Sequence, residues 1–103
     1  MIKSNLLSVP GLRKFDPGTD KNKRWCVYFL MHNDEIVRIG KGYSLRSISK
    51  MFKAGVLKDK VEHDEIFMFC VSESKIEATF LKFADWYNAA KIDPYALPSD
   101  FGL

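Results

Sequence analysis

The chain has 103 residues, room for one domain and no second one. Hydrophobic residues at 47% and aromatics at 14% supply a real core and exclude intrinsic disorder. The net charge is +3, and no apolar run approaches the ~20 residues that cross a bilayer. The longest, residues 25–31, is strand-sized, and residues 1–7 are too short and polar for a signal-peptide core. These features read as a cytoplasmic protein with no membrane partner.

Residues 1–24 carry six Lys/Arg against two Asp. Two Pro-Gly pairs and weak periodicity mark them as a basic, irregular arm, with Leu6, Leu7, Leu12 and Phe15 available to pin it down. Residues 25–31 read as a strand apolar on both alternating faces, the pattern of a central strand covered twice. Residues 32–35, His-Asn-Asp-Glu, signal a turn, and 36–39 return as the second strand of an antiparallel hairpin. Gly40, Lys41 and Gly42 end it.

Ser44 is a candidate N-cap for a helix over 45–54, closed by Gly55. Leu45, Ile48, Met51 and Phe52 make its buried stripe, and Arg46, Lys50 and Lys53 a second, basic one. Residues 56–64 are mixed, a loop or a short helix. Residues 65–71 form the third strand. Ser72 or Ser74 caps a helix over about 75–91 with Ile76, Phe80, Phe83 and Tyr87 facing inward. Pro94 and Pro98 then leave a tail over 94–103. The order is β-β-α-(α)-β-α, an α/β (α+β) domain over 25–93 in which the two helices cover a three-stranded antiparallel sheet. Cys26 and Cys70 lie in strand-like apolar runs and read as buried thiols.

Charge concentrates in the middle. Residues 38–60 hold seven bases against one acid, whereas residues 61–103 hold three bases against eight acids. Such a split suits one surface for polyanions and another for a different partner.

Four features fall in one order. Val27-Tyr28 lies in the first strand, and Arg38-Ile39-Gly40-Lys41 closes the second. A basic helix opens at Ser44-Leu45-Arg46, and Glu77 begins the last helix as Glu-Ala-Thr-Phe-Leu-Lys. The order and spacing resemble the GIY-YIG nuclease family, whose members include the incision subunit of bacterial nucleotide excision repair, phage homing endonucleases and some restriction enzymes. The resemblance spans about residues 25–91 and implies a GIY-YIG-like fold. Standalone members this short resemble phage or mobile-element proteins, which would place the chain in a host cytoplasm.

What the resemblance implies is carried residue by residue. The family's first tyrosine matches Tyr28. Its second falls on Arg38, and the lysine that often follows is Lys41. Its helical arginine falls on Ile48, with Arg46 two positions away, about 200° around a helix. Its metal-binding glutamate matches Glu77, and a late asparagine matches Asn88. The implied catalytic set is therefore Tyr28, Arg38, Arg46 and Glu77. Glu77 would hold Mg²⁺ or Mn²⁺; apart from the resemblance, the charge of Lys41 and of the Arg46, Lys50 and Lys53 stripe beside the glycine loop reads as contact with DNA or another nucleic acid. The chemistry suits these groups: a carboxylate is a hard ligand for Mg²⁺, the metal stabilises charge on phosphate, and a tyrosine with pKa ~10 needs nearby positive charge to act as a base. Arginine at position 38 removes a phenol and adds a phosphate-binding group.

Each residue also has an ordinary structural reading. Tyr28 suits a core aromatic with its hydroxyl at the rim. Glu77 suits a helix N-terminus, and the basic stripe suits a solvated face. Trp86-Tyr87 reads as core plus rim. His32 and His63 lack metal-ligand spacing to a second His or Cys, so no zinc site is expected. Two functions stand: a nucleic-acid-binding protein with weak or lost metal-dependent DNA endonuclease activity, or a catalytically silent module that binds and inhibits or adapts a protein partner through the acidic C-terminal third.

Overall fold

A central strand must satisfy hydrogen bonds on both edges and bury both faces, and residues 26–32 do both. In the computed structural model, which describes residues 2–16, 23–43 and 63–103, a helix α1 (Ile2–Leu7) and a two-residue strand β1 (Arg13–Lys14) come first. Strands β2 (Cys26–His32), β3 (Glu35–Gly42) and β4 (Glu65–Cys70) follow, then a 3₁₀ turn (Glu73–Lys75), helix α2 (Ile76–Ile92) and a second 3₁₀ turn (Pro98–Phe101). The sheet is antiparallel with order β1-β4-β2-β3. The first hairpin strand thus lies between the second and the third. The expected helix over 45–54 lies outside the described residues, as do Arg46, Lys50 and Lys53.

The two faces of β2 serve two apolar clusters. Val27, Phe29 and Met31 join Leu6, Ile36, Phe67, Phe83 and Trp86. Cys26, Tyr28 and Leu30 join Phe15, Ile66 and Met68. Helix α2 seals the first cluster with Phe83, whose ring meets Phe29 edge-on at 4.9 Å and Phe69 at 5.4 Å between centroids. Such edge-to-face pairs add about 0.5–1.5 kcal/mol beyond area burial. Within the expected inward stripe, Ile76 and Phe83 are buried, Phe80 and Tyr87 sit half-buried at its edge, and Trp86 takes the centre.

Two expectations are corrected. The sheet has four strands, not three, because Arg13 and Lys14 pair with Met68 and Phe67. The Phe15 amide then donates to Ile66 O at 2.7 Å and Phe15 is buried. Two paired residues carry no readable alternation. The arm is not wholly irregular either. Ile2 and Leu6, one helical turn apart, face the core, and Leu6 is fully buried. Lys3 bridges Asp34 at 2.8 Å and Glu65 at 2.9 Å. Both carboxylates raise its pKa, the Asp34 hydrogen bond most. Leu7, by contrast, is exposed. The tail also joins the core: Ala96 O accepts from Trp86 Nε1 at 3.0 Å and Asn5 Nδ2 at 3.3 Å, and Pro98 is fully buried.

The hairpin turn has two residues, Asn33 (φ 51) and Asp34 (φ 64), both left-handed, as a type I′ turn demands. A β-bulge follows. Leu30 pairs with Arg38, but Met31 pairs with Ile36, so Val37 is the extra residue. Without it, Ile36 and Arg38 would share one face. With it, Ile36 enters the α2-covered core while Arg38 turns to the Tyr28 face. The Tyr87 hydroxyl donates to Ile36 O at 2.9 Å, fastening α2 to the bulge. Tyr87→Phe should cost about 0.5–1.5 kcal/mol, read as a lower urea midpoint with an unchanged m-value.

Candidate functional site

The bulge decides which named residues meet. Tyr28 pairs with Gly40 and with Met68, and Met68 pairs in turn with Arg13, so one row crosses the sheet on one face. Arg38, opposite Leu30, lies on the same face, diagonal to Tyr28. The Tyr28 ring lies over Gly40, where any Cβ would collide with Tyr28 Cζ and Oη. Gly40 is therefore required by close approach and not by backbone angle, a requirement legible only once the register is known.

Electrostatics at Tyr28 is a contest. Burial raises its pKa above the ordinary 10, and the Arg38 charge pulls the other way without reversing the shift. A phenol so placed holds its proton harder than a free tyrosine does, the opposite of what a general base needs.

Glu77 lies elsewhere. It sits in the first turn of α2, exposed, and forms an ion pair with Lys41. Lys41 pairs with Val27 and so belongs to the opposite face from Tyr28; its ammonium also lies 5.7 Å from the Phe80 ring centroid. The structure thus brings Tyr28, Arg38 and Gly40 together on one face, and Lys41 with Glu77 on the other. Asn88 is exposed on α2, three turns after Glu77. Arg46, Lys50 and Lys53 lie outside the described residues.

Glu77 alone offers a divalent cation one carboxylate, and Lys41 already neutralises it. Among the described residues no three His, Cys, Asp or Glu side chains converge as a ligand set. Mg²⁺ commonly takes one or two carboxylates and completes its shell with water and phosphate, so Glu77 would offer it a single ligand in competition with Lys41. No helix of the described residues is long and apolar enough to cross a membrane.

A cleft lies away from this region. Ile2, Asp34, Glu35, Ile36, Tyr87 and Pro94 line it, from α1, the hairpin, α2 and the tail. Residues so far apart in the chain form no local motif, so the sequence carries no signal of it.

The comparisons add no relative. No family model matches the chain, and no curated protein or solved structure matches it either.

Two tests follow from the geometry. Gly40→Ala should cost about 1–3 kcal/mol and displace the Tyr28 ring, because the buried phenol has little space to retreat; chemical denaturation and tyrosine fluorescence measure it. The second concerns alkali. Tyr28 and Tyr87 are shifted upward mainly by burial, and burial with a hydrogen bond to Cys70 pushes the Cys26 thiol up to about 12. Each group loses its proton more readily in the unfolded chain, so stability holds at neutral pH and falls as pH rises through about 9–10 and beyond. Thermal melts from pH 7 to 11 should show Tm constant at first and then dropping.

Proposed function

We propose that this protein is a small GIY-YIG-like nucleic-acid-binding protein whose metal-dependent DNA cleavage is weak or lost. The observation that carries the loss of chemistry is the division of the candidate site by the sheet: Tyr28 with Arg38 on one face, Glu77 paired with Lys41 on the other. The hairpin, the third strand and a last helix with Glu77 in its first turn agree with the element order on which the GIY-YIG likeness rests. The raised pKa of Tyr28 and the placement of Glu77 on the other face, paired with Lys41, both argue against efficient chemistry.

Binding rests on charge. Arg13 ends the Tyr28 row and Arg38 lies diagonal to Tyr28 on the same face, and the sequence adds Arg46, Lys50 and Lys53 soon after β3. Phosphate binding needs only such cations, and it survives the loss of a metal ligand.

A second reading, a silent module for a protein partner, draws on the C-terminal third. Ile92 and Tyr95 stand 90% and 75% exposed on either side of Asp93. Its acids are not interchangeable. Asp93 Oδ1 accepts from Tyr95 N at 3.0 Å and Asp100 Oδ2 from Leu97 N at 3.2 Å, so charge swaps there damage local folding. Asp85, exposed on α2, is the cleaner swap.

A plasmid-nicking assay with Mg²⁺ or Mn²⁺ beside a gel shift separates the readings. The protein should retard DNA and nick it slowly or not at all. Losing one charge-stabilising donor costs ~10²–10³ in rate, and a missing base another ~10²–10⁴. Any cutting should vanish in Glu77→Gln with binding retained. Neutralising Arg46, Lys50 and Lys53 together should flatten the salt dependence, because each phosphate left without its cation takes ~0.7–0.9 off the log–log slope. No retardation at low salt overturns the reading in favour of the protein-binding module. Fast cleavage that survives Glu77→Gln overturns the assignment of the chemistry.

A further inference from the structure

The register sets Cys26 directly opposite Cys70 on the neighbouring strands β2 and β4. The Val71 amide donates to Trp25 O at 3.1 Å, which makes Trp25–Val71 a hydrogen-bonded pair. Pairs alternate along an antiparallel ladder, so Cys26–Cys70 is a non-hydrogen-bonded pair. Such pairs hold their Cα atoms about 4.5 Å apart with side chains on the same face, inside the ~4.4–6.8 Å range that a disulfide spans. Both cysteines are free thiols, and they lie within hydrogen-bonding reach of each other.

We propose that Cys26 and Cys70 form a reversible dithiol–disulfide pair, closed by a peroxide, that staples the central strand to β4. The two thiols are unequal. Cys26 is buried, and its raised pKa keeps it protonated. Cys70 is half-buried at the last position of β4 and is the thiol an oxidant reaches. Arg13 and Arg24 pull the Cys26 pKa down, but burial and the Cys70 hydrogen bond outweigh them, so Cys26 is the thiol that waits and Cys70 the one that is reached first.

The steps balance. The Cys70 thiolate attacks one peroxide oxygen; the O–O bond breaks, Cys70 becomes a sulfenic acid and hydroxide leaves, to be protonated to water. Cys26 Sγ then attacks Cys70 Sγ. The S–S bond forms, the S–O bond breaks, and the oxygen departs as water with the Cys26 proton. Two thiols lose two electrons, and one peroxide is reduced to two waters. No strand has to move, because the register already holds the sulfurs face to face. Tyr28, two residues beyond Cys26 on the same face, then sits on a strand tied covalently to its neighbour.

The test is independent of nucleic acid. The full chain is treated with a small excess of hydrogen peroxide, and thiols are counted after denaturation alongside intact mass. The expected result is joint loss of both thiols, a monomer about 2 Da lighter, and recovery with dithiothreitol. Cys26→Ala should accumulate a dimedone-trappable sulfenic acid at Cys70. Cys70→Ala should react at least about tenfold more slowly than Cys26→Ala, because its remaining thiol is buried. Wild-type protein that keeps both thiols, gains oxygen stepwise, or links chain to chain overturns the proposal whatever the variants do.

Discussion

Strand β2 is enclosed on all four sides: β3 and β4 take its hydrogen bonds, and two apolar clusters take its faces. Six of its seven residues are buried. At about 25 cal/mol per Å² of apolar surface, such a strand is where folding free energy concentrates. The remaining elements are arranged by what they must cover. Helix α2 lays Phe83 and Trp86 over Phe29 and its neighbours, and α1 contributes Leu6 to the same cluster. The tail contributes Ala96 and shares a carbonyl between Trp86 and Asn5. Both chain ends are thus tied into the core, and the arm is held further by Lys3 between two carboxylates.

The bulge at Val37 is the second constraint, and it bears on function. An antiparallel ladder has period two, so one extra residue reverses the faces of everything beyond it. Ile36 can then be buried while Arg38 reaches the Tyr28 face, and Tyr87 holds the carbonyl at the irregular point. The same register stacks Tyr28 on Gly40 and sends Lys41 to the other side, where it meets Glu77. A phenol beside a guanidinium and a carboxylate beside an ammonium are each locally satisfied. That division sets apart the two groups that the proposed cleavage chemistry would have to bring together.

The register has a third effect at the opposite end of β2. It makes Cys26 and Cys70 cross-strand partners, with burial giving one thiol a high pKa and the strand end giving the other access. The central strand therefore joins the proposed nucleic-acid face and the proposed thiol pair within three residues.

By itself the sequence determined the strands and the last helix. Trp25 to Met31 is apolar on both faces, Asn33-Asp34 are turn formers, and α2 is periodic over four turns; each is a local pattern with a local physical cause. Trp86 as core and Tyr87 as rim were legible for the same reason. Only the tertiary structure decided the rest. β1 is two residues long, too short to alternate, and exists because Phe15 needs burial beside Ile66. The Val37 bulge leaves no mark in the composition of β3, since Ile-Val-Arg-Ile fits either register. Which face Arg38, Lys41 and Glu77 occupy depends on that single offset, and a pairing register is a relation between strands that neither strand encodes alone.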